Sequence, residues 1–109
     1  MKLGDKLYLI TREDLPWSQQ AVQAVHAMRE FIREHPEVDR QWYEVSNHLA
    51  FLAVRNEQEL EQLIEKAKWK GVPVAFFREP DRQNELTAIA LGPSGRNLCR
   101  RFPLALQAC

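Results

Sequence analysis

Gln23 and His26 are side chains whose types and spacing could do chemistry. A histidine has an unperturbed pKa of roughly 6.5 and can take a proton near neutral pH. Gln23 precedes His26 by three residues, so on a helix the two would lie on one side, and the glutamine amide could donate a hydrogen bond to a substrate carbonyl. A hydrogen-bonded surface histidine and a solvated glutamine are the alternative interpretations.

Three carboxylates follow apolar segments at points where the chain turns. Asp14 comes after the segment Lys6–Arg12 and could orient His26 or the first amides of the next helix; capping of a helix or turn is its alternative role. Glu79 and Asp81 follow a later apolar segment, at a strand end where sites of open α/β sheets collect. One of these two could act as a general base, and polar turn residues are the alternative.

Hydroxyl and basic side chains complete the candidates. Thr87 could donate its hydroxyl to a substrate or a carboxylate, although β-branched residues also favour strands for their own sake. Arg29 and Arg33, together with Arg100 near the end of the chain, could form a strip that binds phosphates. Acidic residues are interleaved with them, so a solvated mixed surface is the alternative.

Length and composition favour one domain over residues 1–109. The chain has 109 residues and a hydrophobic content of 45%, enough for one continuous core. Lys and Arg number 15, as do Asp and Glu, so RNA binding would need a local basic patch. Cys99 and Cys109 are interpreted as reduced thiols. No segment has the apolar length of a signal peptide or a membrane helix, which predicts a cytoplasmic protein without membrane contact.

Apolar periodicity predicts the elements that must position these side chains. Trp17 to about His35 has a helical pattern with Ser18 as the N-cap, and it places Val22 and Val25 on the apolar side but Gln23 and His26 opposite. Asn56 is the predicted N-cap of a second helix. Further elements are a loop at Glu37–Asn47, a helix at Glu57–Lys70 ended by Gly71, a polar loop at Glu79–Glu85, a last short helix at Asn97–Arg101, and strands at Lys6–Arg12, His48–Val54, Val72–Phe77 and Leu86–Leu91.

The predicted order is β-α-β-α-β-β-α. Helices separate the first three strands and can serve as crossovers, while the last two strands are close enough to pair as a hairpin. The fold class is therefore α/β, a single domain with a four-stranded mixed sheet flanked by helices.

Three stretches in this order resemble the archaeal and eukaryotic-type peptidyl-tRNA hydrolases. Arg12-Glu13-Asp14-Leu15 matches the R-x-D-L of the family at a strand end, Ala21 to Ala27 is similar to its A-Q-x-x-H-A helix, and Thr87 to Pro93 matches its T-x-x-x-x-G-P strand. The resemblance runs from about Lys6 to Arg101 and is closest to a divergent branch with an E-x-P-type loop. It implies a four-stranded mixed sheet flanked by helices.

The same resemblance implies a function. Family members hydrolyse the ester that joins a peptide to the terminal ribose of a tRNA, which implies peptidyl-tRNA as the substrate, no cofactor or metal, and a homodimer. Ester hydrolysis needs an activated water, a group that stabilises the developing oxyanion, and a means of placing the tRNA end. We expect His26, Asp14, Glu79 and Thr87 to be catalytic. The residues expected to bind substrate are Gln19, Gln23, Asp81, Arg29, Arg33 and Arg100.

Two departures from the family pattern define a competing hypothesis. Gln19 stands where the family has a lysine thought to take part in catalysis, and Glu79-Pro80-Asp81 replaces a longer loop that carries an aspartate. The alternative function is therefore a non-catalytic module that binds RNA or protein on the same fold. The hydrolase hypothesis requires that Asp14, His26, Glu79 and Thr87 converge on one cleft.

Overall fold

The computed structural model describes residues 5–107. Its four strands are β1 (Lys6–Arg12), β2 (His48–Val54), β3 (Val74–Glu79) and β4 (Glu85–Leu91). Its three α-helices are α1 (Trp17–Glu34), α2 (Pro36–Val45) and α3 (Glu57–Trp69), and two 3-10 helices lie at Pro80–Arg82 and Pro93–Leu98. The predicted α/β fold with a four-stranded mixed sheet is confirmed.

The strands lie in the order β2-β1-β4-β3. β1 pairs with β2 in parallel and with β4 antiparallel, and β3 pairs antiparallel with β4. The two helices after β1 lead to β2 on one face, and α3 crosses the sheet on the other face to reach β3. Helices therefore cover both faces, as expected for parallel strands joined by crossovers.

Two hydrophobic clusters fill the spaces between the sheet and its helices. On β1, Leu7 and Leu9 belong to the cluster under α1, whereas Tyr8 and Ile10 belong to the cluster under α3. Successive side chains of a strand point to opposite faces, and here both faces are buried. This accounts for the unbroken apolar run in β1.

The predicted orientation of α1 is partly wrong. Its buried side includes Gln20, Gln23 and Phe31, while Val22 and Val25 are exposed. The predicted N-cap Ser18 is wrong as well, because the N-cap is Pro16, two residues earlier, and it makes no side-chain cap hydrogen bond. The buried side of the helix carries two glutamines among alanines, and hydrophobic periodicity predicts that glutamines lie on the exposed side.

The predicted loop at Glu37–Asn47 is also wrong, because α2 lies there. Pro36 occupies the first turn, where a missing N–H costs nothing, and Arg40 forms ion pairs with Glu37 and Glu44 on successive turns. Trp42 is buried under the helix, and its indole N–H donates to His48 O at 2.7 Å. Buried Trp42 therefore attaches this helix to the sheet without the periodic apolar pattern from which helices were predicted.

The predicted N-cap and glycine stop of α3 are confirmed, although the helix ends at Trp69, one residue before the predicted Lys70. The side chain of Asn56 accepts from Glu59 N at 3.0 Å, as an N-cap does. After the helix, Gly71 has a φ of 69°, and Val72 N donates to Ala67 O at 2.9 Å. This 6→1 bond is the Schellman pattern, which favours glycine at the left-handed position.

Several predicted boundaries near the end of the chain are wrong. β3 begins at Val74 instead of Val72, because Val72 closes the turn after α3. β3 also extends to Glu79 and β4 begins at Glu85, so the polar loop between them is shorter than predicted. The expected helix at Asn97–Arg101 is a 3-10 helix at Pro93–Leu98, which Pro93 opens at its first turn.

A C-terminal segment then returns to the sheet. Leu104 forms an isolated antiparallel bridge with Leu52 at the outer edge of β2.

None of the helices between residues 5 and 107 combines the length and the apolar character needed to cross a membrane.

Candidate functional site

An irregularity in β4 aims Thr87 at α1. Phe77 pairs with Ala88, but the next residue of β3, Arg78, pairs with Leu86, so Thr87 is the extra residue of a β-bulge. Such a bulge can turn a side chain to the other face of a sheet. The Thr87 hydroxyl thereby reaches Gln23, and its Oγ1 donates to Gln23 Oε1 at 3.0 Å.

Gln23 is buried in α1 and links the sheet to the end of β3. Its exposed fraction is 4%, so both ends of its amide need partners inside the protein. Thr87 donates to the amide oxygen, and the amide nitrogen donates to Glu79 Oε1 at 3.0 Å. The three residues form one chain of hydrogen bonds from the bulge to a carboxylate. The interpretation of Gln23 as a solvated residue is therefore wrong.

Glu79 is held in its ionised form by its neighbours. The hydrogen bond from Gln23 is the main cause that lowers the pKa of Glu79, against the opposing effect of desolvation. The backbone N–H of Asp81 donates to Glu79 Oε2 at 3.4 Å and contributes in the same direction. His26 and Arg82 contribute smaller electrostatic effects that also lower the pKa of Glu79. The carboxylate is therefore oriented, and its oxygens can accept further hydrogen bonds from water molecules.

These side chains border an open hollow of about 430 Å³ between the first turns of α1 and the loop after β3. We call this space the hollow throughout. Its lining residues are Ser18, Gln19, Val22, Gln23, Glu79, Asp81 and Arg82. Four residues expected at the site, Gln19, Gln23, Glu79 and Asp81, therefore lie together, although two of them come from a segment about 60 residues further along the chain.

His26 lies beside the hollow, on the sheet side of α1. Its ring stacks on Phe77, with centroids 4.3 Å apart and an interplanar angle of 11°. The residue is exposed and is one of the minor influences that lower the pKa of Glu79. The imidazole thus has a fixed ring plane next to the carboxylate, in a position open to water.

Asp14 has a different partner from the one expected. Both of its carboxylate oxygens accept from Arg12, at 2.9 Å and 3.0 Å. Arg12 is buried, with an exposed fraction of 6%, and also donates to Glu85 Oε1 at 2.8 Å and to Leu86 O at 3.1 Å. The side-chain hydrogen bond to Arg12 lowers the pKa of Asp14. Asp14 thus helps to fix the ends of β1 and β4 and does not line the hollow.

The expected convergence of the four catalytic candidates is therefore incomplete: Glu79 lines the hollow, and Thr87 reaches it through Gln23.

The expected strip of arginines is divided by the sheet. Arg29 and Arg33 are exposed on α1. Arg100 instead lines a separate concavity of about 420 Å³ on the α3 side, with Lys66 and Arg101. The first helix and the C-terminal segment therefore present their basic side chains on opposite faces.

Sequence reasoning missed Arg82. This residue lines the hollow, where its Nη1 donates to Gln19 Oε1 at 3.3 Å, and its Nε lies 3.5 Å from Glu85 Oε1. The signal available was a basic residue inside the short polar loop that carries Glu79 and Asp81. Thr11 was missed too; it is buried and donates to Thr87 O at 3.1 Å, which supports the bulge from β1.

No group of three or more His, Cys, Asp or Glu side chains within residues 5–107 is placed to hold a metal ion. Several polar side chains at the hollow are engaged with one another, in the chain from Thr87 through Gln23 to Glu79 and in the contact between Arg82 and Gln19.

Comparison with known proteins places the chain in a family. A family model described as peptidyl-tRNA hydrolase PTH2 matches residues 5–108. No curated protein matches the chain. The match covers nearly the whole sequence and includes every residue of the hollow. The chain therefore belongs to the peptidyl-tRNA hydrolase PTH2 family.

Proposed function

We propose that the chain hydrolyses the ester between a peptide and a tRNA, and that the reaction takes place in the hollow. The observation that carries the proposal is the chain of hydrogen bonds Thr87–Gln23–Glu79, which presents an oriented, ionised carboxylate to an open space. Family membership supplies the substrate class. The oriented carboxylate of Glu79 supports the presence of a general base, which ester hydrolysis needs to activate water.

Glu79 is the proposed base. Its Oε1 accepts from Gln23, and each carboxylate oxygen has a second lone pair for a water molecule. The water oxygen forms a bond to the ester carbon as its proton passes to Glu79, and the carbonyl electron pair moves onto oxygen. This pair then returns, the bond to the ribose oxygen breaks, and that oxygen takes the proton from Glu79. The products are a peptide acid and a tRNA with a free hydroxyl.

Thr87 and Gln23 act in this mechanism as positioning residues. Thr87 donates to the amide oxygen of Gln23 and so directs the amide nitrogen towards Glu79. His26 contributes a proton acceptor beside Glu79 and, with Phe77, a flat surface at the edge of the site. Asp14 acts at a distance, by holding Arg12 and the strand ends.

The test is release of labelled peptide from peptidyl-tRNA. Wild type is expected to turn over, and Glu79→Gln is expected to lower kcat by about 10²–10⁴, the usual contribution of a general base. His26→Ala should lower it less, because its ring stands beside the hollow and not in its lining. Glu65→Gln, an exposed position on α3, is the matched control and should keep the wild-type rate.

The competing binding module gives a different result. It predicts no turnover by wild type but retained binding of tRNA or protein. Gln19→Lys restores the lysine of the family at this position and would then be assayed for turnover. Equal rates for wild type and Glu79→Gln would contradict the proposed base.

One domain over residues 1–109, a cytoplasmic location and a homodimer stay predictions. Limited proteolysis, cell fractionation and analytical ultracentrifugation would test them in turn.

A further inference from the structure

The donors of the hollow are unequally engaged. The Thr87 hydroxyl and the Gln23 amide nitrogen are both committed to bonds within the protein. In contrast, neither Nη2 of Arg82 nor Nε2 of Gln19 donates to any residue between 5 and 107. Arg82 and Gln19 therefore offer free donors at the lining of the hollow, as does the hydroxyl of Ser18, and the donor of Arg82 is the charged one.

Arg82 also orients Gln19. Because Nη1 of Arg82 donates to Gln19 Oε1, the amide oxygen of Gln19 faces the guanidinium, and its NH₂ group is directed away from it. Both residues line the hollow, so their remaining N–H groups are available there.

Arg82 has an unsatisfied atom besides. Its Nε is buried and makes no hydrogen bond within the described residues, although Glu85 Oε1 lies 3.5 Å away. A buried donor without a partner is rare and costly, and such atoms mark sites that are completed by a ligand or by a small shift.

The charge that could stabilise an anion in the hollow comes from Arg82. Among the described residues that line it, Arg82 is the one cation, and Glu79 and Asp81 are both acidic. Negative charge that develops on the ester oxygen during reaction would be stabilised by this guanidinium.

We propose that Arg82 and Gln19 together supply the donors that bind the oxyanion formed when water adds to the ester carbonyl. This inference rests on the proposed function, because it assigns a role in the same reaction. In it, Glu79 takes the proton of the water, and the Nη2 of Arg82 and the Nε2 of Gln19 bind the oxygen that receives the carbonyl electron pair. Arg82 is thereby a catalytic residue contributed by the short loop after β3.

The first test is the kinetics of Arg82→Gln. Loss of one oxyanion donor typically lowers kcat by about 10²–10³, and because the interaction exists only in the transition state, KM should stay within about twofold. Arg82→Lys should recover part of kcat, because it keeps the charge. The matched control is Arg78→Gln: Arg78 is similarly exposed but pairs with Glu61 at 2.9 Å, outside the hollow, so its loss should leave kcat unchanged.

The second test does not depend on turnover. Two analogues of the tRNA end are compared: an adenosine 3′-phosphonate monoester, which is tetrahedral and anionic, and a 3′-amide, which is planar and neutral. Wild type should bind the phosphonate at least about tenfold more tightly, as enzymes do with transition-state analogues. Arg82→Gln should remove that preference, and Arg78→Gln should retain it.

The outcomes separate the inference from the proposed function. Absent turnover with an Arg82-dependent preference for the phosphonate would refute the proposed hydrolysis but support a site at Arg82 that binds a tetrahedral anion. Normal hydrolysis with wild-type kcat in Arg82→Gln would support the proposed function and overturn the inference. Equal weakening of both analogues in Arg82→Gln would mean that Arg82 binds the substrate in its ground state, which overturns the inference.

Discussion

The single hydrogen bond from Gln23 to Glu79 sets the acid range in which the proposed base works. It favours the ionised form, so the pKa of Glu79 lies below its ordinary value of 4.5. The ionised form is active, and activity is therefore kept until the pH falls through this lowered pKa. Gln23→Met removes the donor at similar volume. We expect the pKa of Glu79 to rise and the acid limb of kcat/KM to move to higher pH.

The pKa of Glu79 can be measured directly by ¹³C NMR of its carboxyl carbon. Gln58→Met, at an exposed position of α3, is the control and should leave both the carbon titration and the acid limb in place. A Glu79 titration that is identical in wild type and Gln23→Met would show that the hydrogen bond does not determine the acid range.

Residue types were easier to predict than residue partners. Gln23, Glu79 and Thr87 were identified as candidates from the sequence, and all three are joined in the structure. Asp14 was identified too, but its partner, Arg12, is two residues away in the sequence and was not considered as one. A carboxylate pairs with the nearest cation that folding buries, and burial of Arg12 depends on β4, which lies more than 70 residues away.

At the scale of elements, α3 supports the bulge that aims Thr87. Glu57, in the first turn of α3, accepts from the backbone N–H of Leu86 at 2.8 Å. Leu86 is fully buried, so Glu57→Ala would leave its backbone N–H without an acceptor. The expected cost is about 1–3 kcal/mol in the free energy of unfolding. The bulge should also loosen, so we expect a lower kcat for peptide release. Urea denaturation and the release assay measure the two effects.

Glu57→Gln separates the acceptor from the charge. Glutamine still offers an oxygen to Leu86 N but loses the favourable interaction with the start of the helix, worth about 0.3–1 kcal/mol. We therefore expect its loss of stability to be the smaller of the two. If alanine and glutamine were equally destabilising, the charge at the helix start would be the important feature and the bond to Leu86 would not.

The elements that the sequence predicted are those with repeated local signals. β1 and β2 were predicted at their observed bounds because both are continuous apolar runs, and α3 has an N-cap and a glycine stop. α2 was missed because one tryptophan and a set of surface ion pairs carry no periodic pattern. The bulge at Thr87 was not predictable locally, since it is defined by the register of β3 and by contacts from Thr11 and Glu57.

For the molecule as a whole, the open edges of the sheet and the balance of charges both influence self-association. β2 is an edge strand, and the C-terminal segment covers part of it: Ala53 N donates to Pro103 O at 3.0 Å, and Ala105 N donates to Phe51 O at 2.9 Å. Uncovered edges pair readily with other chains. A formal net charge of zero at pH 7 supplies little repulsion against such pairing.

Ala105→Pro tests this protection, because proline has no N–H to donate to Phe51 O. We expect the segment to detach and the variant to associate beyond the wild-type state at pH 7, in proportion to concentration, as measured by sedimentation velocity. Ala105→Ser keeps the N–H and should behave as wild type. A proline variant that sediments like wild type at every concentration would show that the segment does not protect the edge.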